Sequence, residues 1–255
     1  MTDRRILVPW FLDRKSDAVL MLSEPDDTIV DTGPGAGDQA DSLAPIHKAI
    51  ADAVSVVVSA GERPIATLGD CCQVIGVLAG LKRSGIAPAL IWLDSHGDFN
   101  TWETTPSGFL GGMPLAMLTG RGEQRMLKAV GLEPLADQRV TLCDARDLDP
   151  DERPLIEASQ IHHHKTLAAL LRNLPTGPLY VHFDSDIIDS GVAPAFLYPV
   201  TGGPSPLEVR EALAEIQATG RVIAFSITAA WDPAKDPGRM TESAVRLALG
   251  GLANS

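Results

Sequence analysis

The chain has 255 residues, 45% hydrophobic and 21% charged, which is enough to bury a sizeable core in a single α/β domain over residues 1–255. Its formal net charge of −12 argues against nucleic acid and membrane surfaces as partners, because both require a concentrated basic face. The first residues lack the apolar segment of a secretory signal, and no stretch approaches about 20 continuous apolar residues, so we expect a cytoplasmic protein without a membrane span.

Short β-rich runs alternate with segments of helical spacing along the chain. The predicted strands are ILVPWF, PIATLGD, ALIWLDSH, RVTLCDAR, PLYVHFDSD and VIAFSIT. Helices are predicted over 42–59, 72–82, 206–219 and 241–252, and the Asp-, Gly- and Pro-rich stretch 24–41 is predicted to be a long surface loop. The alternation indicates βαβ units and a parallel sheet, which binds ligands outside the carboxyl ends of its strands.

Two predicted strands end in clusters of metal-binding side chains. Asp94, His96 and Asp98 stand at i, i+2 and i+4, positions that share one face of a strand, and Asp184 and Asp186 repeat this spacing. Four carboxylates in one buried cleft would repel each other unless cations neutralised them. We therefore expect two divalent metal ions, for which manganese or magnesium suits the oxygen-rich ligand set better than structural zinc. A single DxD can also be a loop cap, but two such clusters favour a metal centre.

A pair of divalent ions about 3.5–4 Å apart can bridge and deprotonate one water at neutral pH. The expected reaction is therefore a hydrolysis, with Asp98 as the catalytic candidate that accepts and relays a proton.

At these residues the sequence resembles the superfamily of arginases, agmatinases and formiminoglutamases, the ureohydrolases. The family signatures GGDH, DAHxD and SxDxDxxDP appear here as LGDC at 68–71, DSHGD at 94–98 and HFDSDIID at 182–189, and the resemblance spans roughly 64–233. It implies a three-layer α/β/α fold with a parallel sheet of about eight strands, two ions that are usually manganese, and a trimer or hexamer. Cys71 occupies the position of the family's first metal-binding His, and its softer thiolate would favour zinc, iron or cobalt.

The sequence most resembles arginase proper at the positions that, by this resemblance, would bind an amino-acid substrate. Asn100, Thr105 and Ser107 match the positions that hold the α-carboxylate, and Asp149 and Glu152 match those that receive the α-amino group. Neutral donors for a carboxylate and carboxylates for an ammonium group make a chemically sensible clamp. The alternative is that these are turn residues and that Asp149 only opens a helix.

The departures from the family pattern concern the guanidinium end of the substrate. The proton-shuttling His aligns with Gly111, the Glu that pairs with the guanidinium aligns with Ala230, and Phe196, Leu197 and Tyr198 replace a run of small residues that lines the guanidinium pocket. Either the reacting group is less basic than a guanidinium, or the chain is an impaired, arginase-like binding or partner protein.

The pattern of departures is similar to the branch that hydrolyses N-omega-hydroxy-L-arginine to ornithine and hydroxyurea in D-cycloserine biosynthesis. In the expected mechanism a metal-bridging hydroxide attacks the central carbon of the guanidine-like group. Turnover of arginine itself or of formiminoglutamate is left open by the sequence.

Several further polar residues have less definite roles. We expect Asp70 to hydrogen-bond Cys71, Asp189 to orient its loop, and His182 to act either on the metal site or as a packed core residue. The tract 162–164 of three His residues is expected to be structural, and the odd number of cysteines argues against a disulfide framework.

Overall fold

A computed structural model describes residues 2–252; residues 1 and 253–255 lie outside this description. Within it, eight strands form one sheet in the order β4-β1-β5-β10-β9-β6-β7-β8, with every neighbouring pair parallel, and β2 and β3 form a separate antiparallel hairpin. The strands are β1 Asp3–Leu7, β2 Trp10–Phe11, β3 Arg14–Lys15, β4 Thr28–Ile29, β5 Arg63–Leu68, β6 Ala89–His96, β7 Val140–Asp147, β8 His162–His164, β9 Leu179–Asp184 and β10 Val222–Thr228.

Helices cover both faces of the sheet. The α-helices are α1 Asp17–Met21, α2 Gln39–Ser42, α3 Ala44–Ser59, α4 Val74–Arg83, α5 Pro114–Leu118, α6 Arg125–Val130, α7 Glu152–Ala158, α8 Leu167–Leu171, α9 Pro206–Ala218 and α10 Met240–Leu249. Single turns of 3₁₀ helix lie at Cys71–Gln73, Leu110–Gly112, Asp137–Arg139, Ser185–Ile187, Pro233–Lys235, Pro237–Arg239 and Gly250–Leu252.

Successive side chains of the buried strands point to opposite faces of the sheet, so one hydrophobic core forms on each face. Leu90 and Trp92 of β6 point into the core beneath α3, α4 and α6, whereas Ile91 and Leu93 point into the core beneath α9 and α10. Because both faces are covered, the central strands are apolar at nearly every position. The predicted three-layer fold with a parallel sheet of about eight strands is confirmed.

Five of the six predicted strands are present, with ALIWLDSH and VIAFSIT matching β6 and β10 to the residue. The run ILVPWF does not form one strand, because Pro9 has no N–H to donate and the chain turns there, with Trp10 N donating to Val8 O at 2.8 Å. The predicted loop 24–41 contains the edge strand β4 and the short helix α2, and the three-His tract forms the edge strand β8.

Contrary to the expectation from the sequence, the helical stretch Gln39–Ser59 is long and apolar enough to cross a membrane, judged by length and composition alone. In the structure, however, its inner face, including Ile46, Ile50 and Val54, is completely buried in the core. Core helices pass the same test of length and composition, so this finding is weak evidence for a membrane span.

Helices α3 and α4 approach closely because α4 carries two glycines one turn apart. A Cβ atom at Gly76 would lie 2.8 Å from the carbonyl oxygen of His47, and one at Gly80 would lie 2.6 Å from the Cβ of Val54. The missing side chains therefore set the distance between the two helices.

We expect Gly80→Ala to lower the free energy of unfolding by about 1–3 kcal/mol through overpacking, although alanine favours a helix by about 1 kcal/mol over glycine. Urea unfolding measures the change. Val56→Ala on the outer face of α3, where Val56 is 70% exposed, is the control and should stay within about 0.5 kcal/mol of the native chain. A stabilising Gly80→Ala would contradict the close packing.

Candidate metal centre

A cavity of about 460 Å³ opens at the carboxyl ends of β5, β6, β9 and β10, where the parallel-sheet rule places ligand sites. Its lining combines the acidic clusters, the predicted substrate residues and several aromatic side chains. The lining residues are Phe11, Asp70, Cys71, His96, Asp98, Asn100, Thr105, Pro106, Ser107, Phe109, Gly111, Gly112, Asp147, Asp149, Glu152, Asp184, Asp186, Tyr198, Thr228 and Ala230.

Two groups of side chains in this region could each hold a metal ion. The first contains Cys71, Asp94 and Asp98, the second contains Asp94, His96 and Asp186, and within each group the ligand atoms lie within 4.8 Å of one another. Asp184 adjoins the first group, since its Oδ2 accepts a hydrogen bond from the Cys71 sulfur at 2.9 Å. The structure therefore brings all six predicted ligand residues together, with Asp94 common to both groups.

The carboxylates are held in place by donors from the same two strand ends. The indole Nε1 of Trp92 donates to Asp94 at 3.0 Å, and the Ser95 hydroxyl donates to Asp186 at 2.8 Å. Asp184 accepts from the backbone N–H of Asp186 at 3.0 Å. These bonds orient the acidic side chains before any cation binds.

Asp98 differs from the other carboxylates in its backbone and in its hydrogen bonding. Its φ of +50° lies in the left-handed region, which costs a non-glycine residue about 1–2 kcal/mol, and its carbonyl oxygen accepts from Leu115 and Ala116 at the start of α5. Its side chain is buried, yet Oδ2 has no hydrogen-bond partner among residues 2–252. A buried carboxylate oxygen without a donor fits a cation ligand.

Burial and mutual repulsion act together on this cluster. Burial first, and then the charge of a neighbouring Asp, raises the pKa of Asp94, Asp98 and Asp184 above the usual range. Burial disfavours a charged His96, but Asp186 and Asp94 outweigh this effect and raise its pKa. In the absence of cations the cluster therefore holds extra protons, which cations would displace.

The predicted substrate clamp lies in the same cavity. The Asn100 side-chain amide donates to Asp149 Oδ2 at 2.9 Å, and the hydroxyl oxygens of Thr105 and Ser107 are 3.4 Å apart. The Asn100 amide and the Thr105 and Ser107 hydroxyls thus line the same cavity. Asp149, one of the two proposed acceptors for the ammonium group, accepts from the Asn100 amide.

Glu152 is buried and already carries structural hydrogen bonds. Its Oε1 accepts from the backbone N–H of Phe99 at 2.7 Å, and its Oε2 accepts from that of Asp149 at 3.1 Å. Burial raises its pKa to about 7 despite these two bonds. Glu152 therefore joins the loop after β6 to the loop after β7, and its direct contact with an α-amino group stays a prediction.

The residues that depart from the family pattern at the guanidinium end do not all line the cavity. Ala230 and Tyr198 line the cavity, but Phe196 is buried against Trp231 and Leu197 is 41% exposed, so these two do not belong to the lining as the resemblance implied. A Cβ atom at Gly111 would lie 2.4 Å from the Phe109 ring, which fills the space of a side chain at 111.

The structure also corrects or completes the roles of other residues. Among residues 2–252, Asp70 makes no hydrogen bond to the Cys71 side chain, contrary to the prediction: its Oδ2 accepts from Leu12 N at 2.7 Å and from the Gln73 side chain at 3.0 Å. Asp189 orients its loop as predicted, accepting from Gly191 N at 2.8 Å. Phe11 and Phe109 of the lining were missed because no short motif contains them, whereas Tyr198 was among the predicted departures. The rings of Phe109 and Tyr198 have centroids 5.0 Å apart.

All three cysteines are free and buried, as the sequence indicated. In β8, His163 bonds the Asp144 carbonyl at 2.9 Å, while His162 and His164 line a separate depression at the opposite ends of the strands. The three-His tract therefore lies outside the acidic cavity.

Comparison with known proteins places this fold and site in a family. The model of the Arginase family matches residues 14–251. The arginase of Bacillus caldovelox is 30% identical over 227 residues, covering 83% of this chain and 75% of that protein. Its solved structure aligns with a TM-score of 0.83 at 25% identity, covering 100% of this chain and 98% of that one. The protein belongs to the arginase family.

A second relative differs in its named substrate. The N(omega)-hydroxy-L-arginine amidinohydrolase of Streptomyces lavendulae is 29% identical over 174 residues, covering 67% of this chain and 62% of that protein. The matched part of the chain thus spans less than two thirds of this relative.

We expect the acidic cluster to stabilise the metal-free fold as the pH falls from 8 to 5. Buried His47 and His182 act in the opposite direction, since burial lowers their pKa values to about 4 and about 3. The folded-state pKa values of Asp94, Asp98, Asp184 and Glu152 are raised, so their contribution to stability is present below the ordinary carboxyl pKa and is lost as the pH rises through the raised values. Between pH 8 and pH 5, urea unfolding should show a gain of about 2 kcal/mol or more for the metal-free protein relative to the metal-saturated protein, since one pKa unit corresponds to about 1.4 kcal/mol.

Saturation with divalent ions should remove this gain, because bound cations keep the carboxylates ionised. An equal pH dependence of the metal-free and metal-saturated proteins would contradict the assignment of mutual repulsion to the acidic cluster.

Proposed function

We propose that the protein is a binuclear-metal amidinohydrolase acting on a guanidino or hydroxyguanidino amino acid, with N-omega-hydroxy-L-arginine as its preferred substrate and ornithine and hydroxyurea as products. The observation that carries the proposal is that one cavity is lined by five of the six candidate metal ligands together with Asn100 and Asp149, and that the sixth, Asp94, lies within 4.8 Å of ligands in both groups. Ala230 and Gly111 also line this cavity, at the positions that the resemblance assigns to the guanidinium end. The partner is then a small amino acid, and we propose a cytoplasmic homo-oligomer on the family resemblance.

Two divalent ions would lower the pKa of a water that they share and so supply a nucleophile at neutral pH. Manganese suits the group of Asp94, His96 and Asp186. Hydrolysis adds this water to the central carbon of the substrate and breaks the carbon–nitrogen bond to the ornithine side chain. Asp98, with its unpaired Oδ2, would accept the proton of the water and deliver it to the departing amine.

The other end of the cavity would fix the amino-acid part of the substrate. Asn100, Thr105 and Ser107 would donate to the α-carboxylate, and Asp149 would accept from the α-ammonium group. Glu152 would contribute as a second acceptor, and it holds Asp149 in place through the backbone N–H of that residue. A substrate without the α-carboxylate would leave these donors unused, which favours an amino acid over a plain amine.

The guanidinium end favours a weakly basic reacting group. A guanidinium cation in a buried cavity needs a counter-charge, and the position that the resemblance assigns to that charge is Ala230. An N-hydroxyguanidine is a much weaker base than a guanidine, so it can bind in its neutral form at a small cost and needs this counter-charge less. The Phe109 ring, next to Tyr198, would form an apolar wall for such a group.

The substrate assignment predicts a preference for N-omega-hydroxy-L-arginine. After manganese loading, we expect kcat/KM for ornithine release to be at least about 10-fold higher with this compound than with L-arginine, since a missing counter-charge costs one charge-assisted interaction. Formiminoglutamate should not be hydrolysed. Faster turnover of arginine would refute the substrate preference, and no turnover of any of the three would favour a binding or partner protein.

The clamp predicts a specific effect of Asp149→Asn. Loss of a charge-assisted hydrogen bond to the α-ammonium group should lower kcat/KM about 10–100-fold, mainly through KM, with unchanged metal content. Asp151→Asn is the matched control, because Asp151 is exposed two residues away. Equal kinetics of the two variants would remove Asp149 from the clamp.

A further inference from the structure

A buried chain of hydrogen-bonding side chains runs across the sheet to the Cys71 sulfur. The Tyr180 hydroxyl is 2.7 Å from Ser226 Oγ, Ser226 Oγ is 2.8 Å from His182 Nδ1, and His182 Nε2 is 3.4 Å from Cys71 Sγ. Tyr180, His182 and Ser226 are completely buried. Because Ser226 and His182 are paired in register on β10 and β9, the sheet itself sets this geometry.

The hydrogen-bond directions in this chain follow from the number of donors. Among residues 2–252, Ser226 Oγ is the only partner of the Tyr180 hydroxyl, so Tyr180 donates and Ser226 accepts. The Ser226 hydrogen then goes to His182 Nδ1, which leaves the ring hydrogen on Nε2. A doubly protonated ring also carries a hydrogen on Nε2. In both cases an N–H points at the Cys71 sulfur.

Among the other neighbours of this sulfur, the Thr228 hydroxyl can also donate, whereas the carboxylates cannot. Asp184 Oδ2, at 2.9 Å, accepts the thiol hydrogen, and Thr228 Oγ1 lies 3.3 Å away. Asp94 and Asp98 complete the acidic surroundings. Once a cation displaces the thiol hydrogen, the sulfur becomes an anion among carboxylates, and the His182 N–H joins the Thr228 hydroxyl as a donor that stabilises its charge.

We propose that His182 is a positioning residue that donates its Nε2–H to Cys71 and thereby makes the first metal position a thiolate site. The Cys71–His182 pair then takes the place of a single imidazole ligand. The thiolate favours a softer ion such as Co²⁺, Zn²⁺ or Fe²⁺ in the group of Cys71, Asp94 and Asp98. This inference rests on the metal centre of the proposed function and not on its substrate.

Cobalt titration of the metal-free protein tests the pair without any turnover. Cobalt bound by a thiolate absorbs in the near ultraviolet through sulfur-to-metal charge transfer, so we expect this band in the native protein and its loss in Cys71→Ser. A hydrogen bond to the sulfur raises the energy of this transition. His182→Phe should therefore shift the band to longer wavelength and weaken first-site cobalt binding roughly 10–100-fold.

His182→Gln keeps a side-chain N–H and should restore most of the band position and affinity. His47→Phe is the matched control, since His47 is equally buried, has no hydrogen-bond partner among residues 2–252 and lies on α3; its band should be unchanged. Circular dichroism checks folding, and if His182→Phe does not fold, Ser226→Ala and Tyr180→Phe should give smaller shifts in the same direction.

Two results would overturn the proposal. A native protein that binds cobalt without the charge-transfer band would exclude a thiolate ligand, and folded variants with unchanged band and affinity would exclude the role of His182. A failure of the hydrolase proposal would leave both spectroscopic results as expected, so the two proposals are tested separately.

Discussion

The mutual repulsion of carboxylates at the ends of two adjacent strands is the constraint on which the rest of the site depends. Asp94 on β6 and Asp184 at the end of β9 are buried, and burial with neighbouring charge raises the pKa of both. An apolar core could not tolerate this arrangement without protons or cations. The fixed donors of Trp92 and Ser95 show that the acidic side chains are held in position rather than left to separate.

The parallel sheet explains how distant parts of the chain reach one cavity. Neighbouring strands β5, β10, β9 and β6 all end at the same edge, so residues from four loops meet there. The α3–α4 contact and the two cores below supply the rigid support. Glu152 extends this support to the substrate side by tying the backbone of Phe99 to that of Asp149. The same sheet and its loops therefore support both the candidate metal ligands and the proposed substrate clamp.

Local spacing was sufficient to predict the central strands and to select five candidate ligands, because β alternation assigns residues to a face before any tertiary contact forms. The sixth candidate, Cys71, came only from the family resemblance. Local spacing did not predict β4 and β8, which are two and three residues long and depend on pairing at the sheet edge. It left the role of His182 open between the metal site and the core, since His182 lies 111 positions from Cys71 and only tertiary structure brings the two side chains together. Asp70, adjacent to Cys71 in sequence, instead bonds Leu12 and Gln73. Phe109 was missed for the same reason, as its role depends on the space left by Gly111.

The central claim is that the six residues Cys71, Asp94, His96, Asp98, Asp184 and Asp186 form a binuclear metal centre. Anomalous diffraction from crystals grown with manganese, and in parallel with cobalt, tests it most directly. We predict two anomalous peaks at the ends of β5, β6 and β9, one contacting Cys71 and Asp98 and the other contacting His96 and Asp186, with Asp94 between them. Crystals saturated with either ion that show no peak within bonding distance of these side chains would contradict the account.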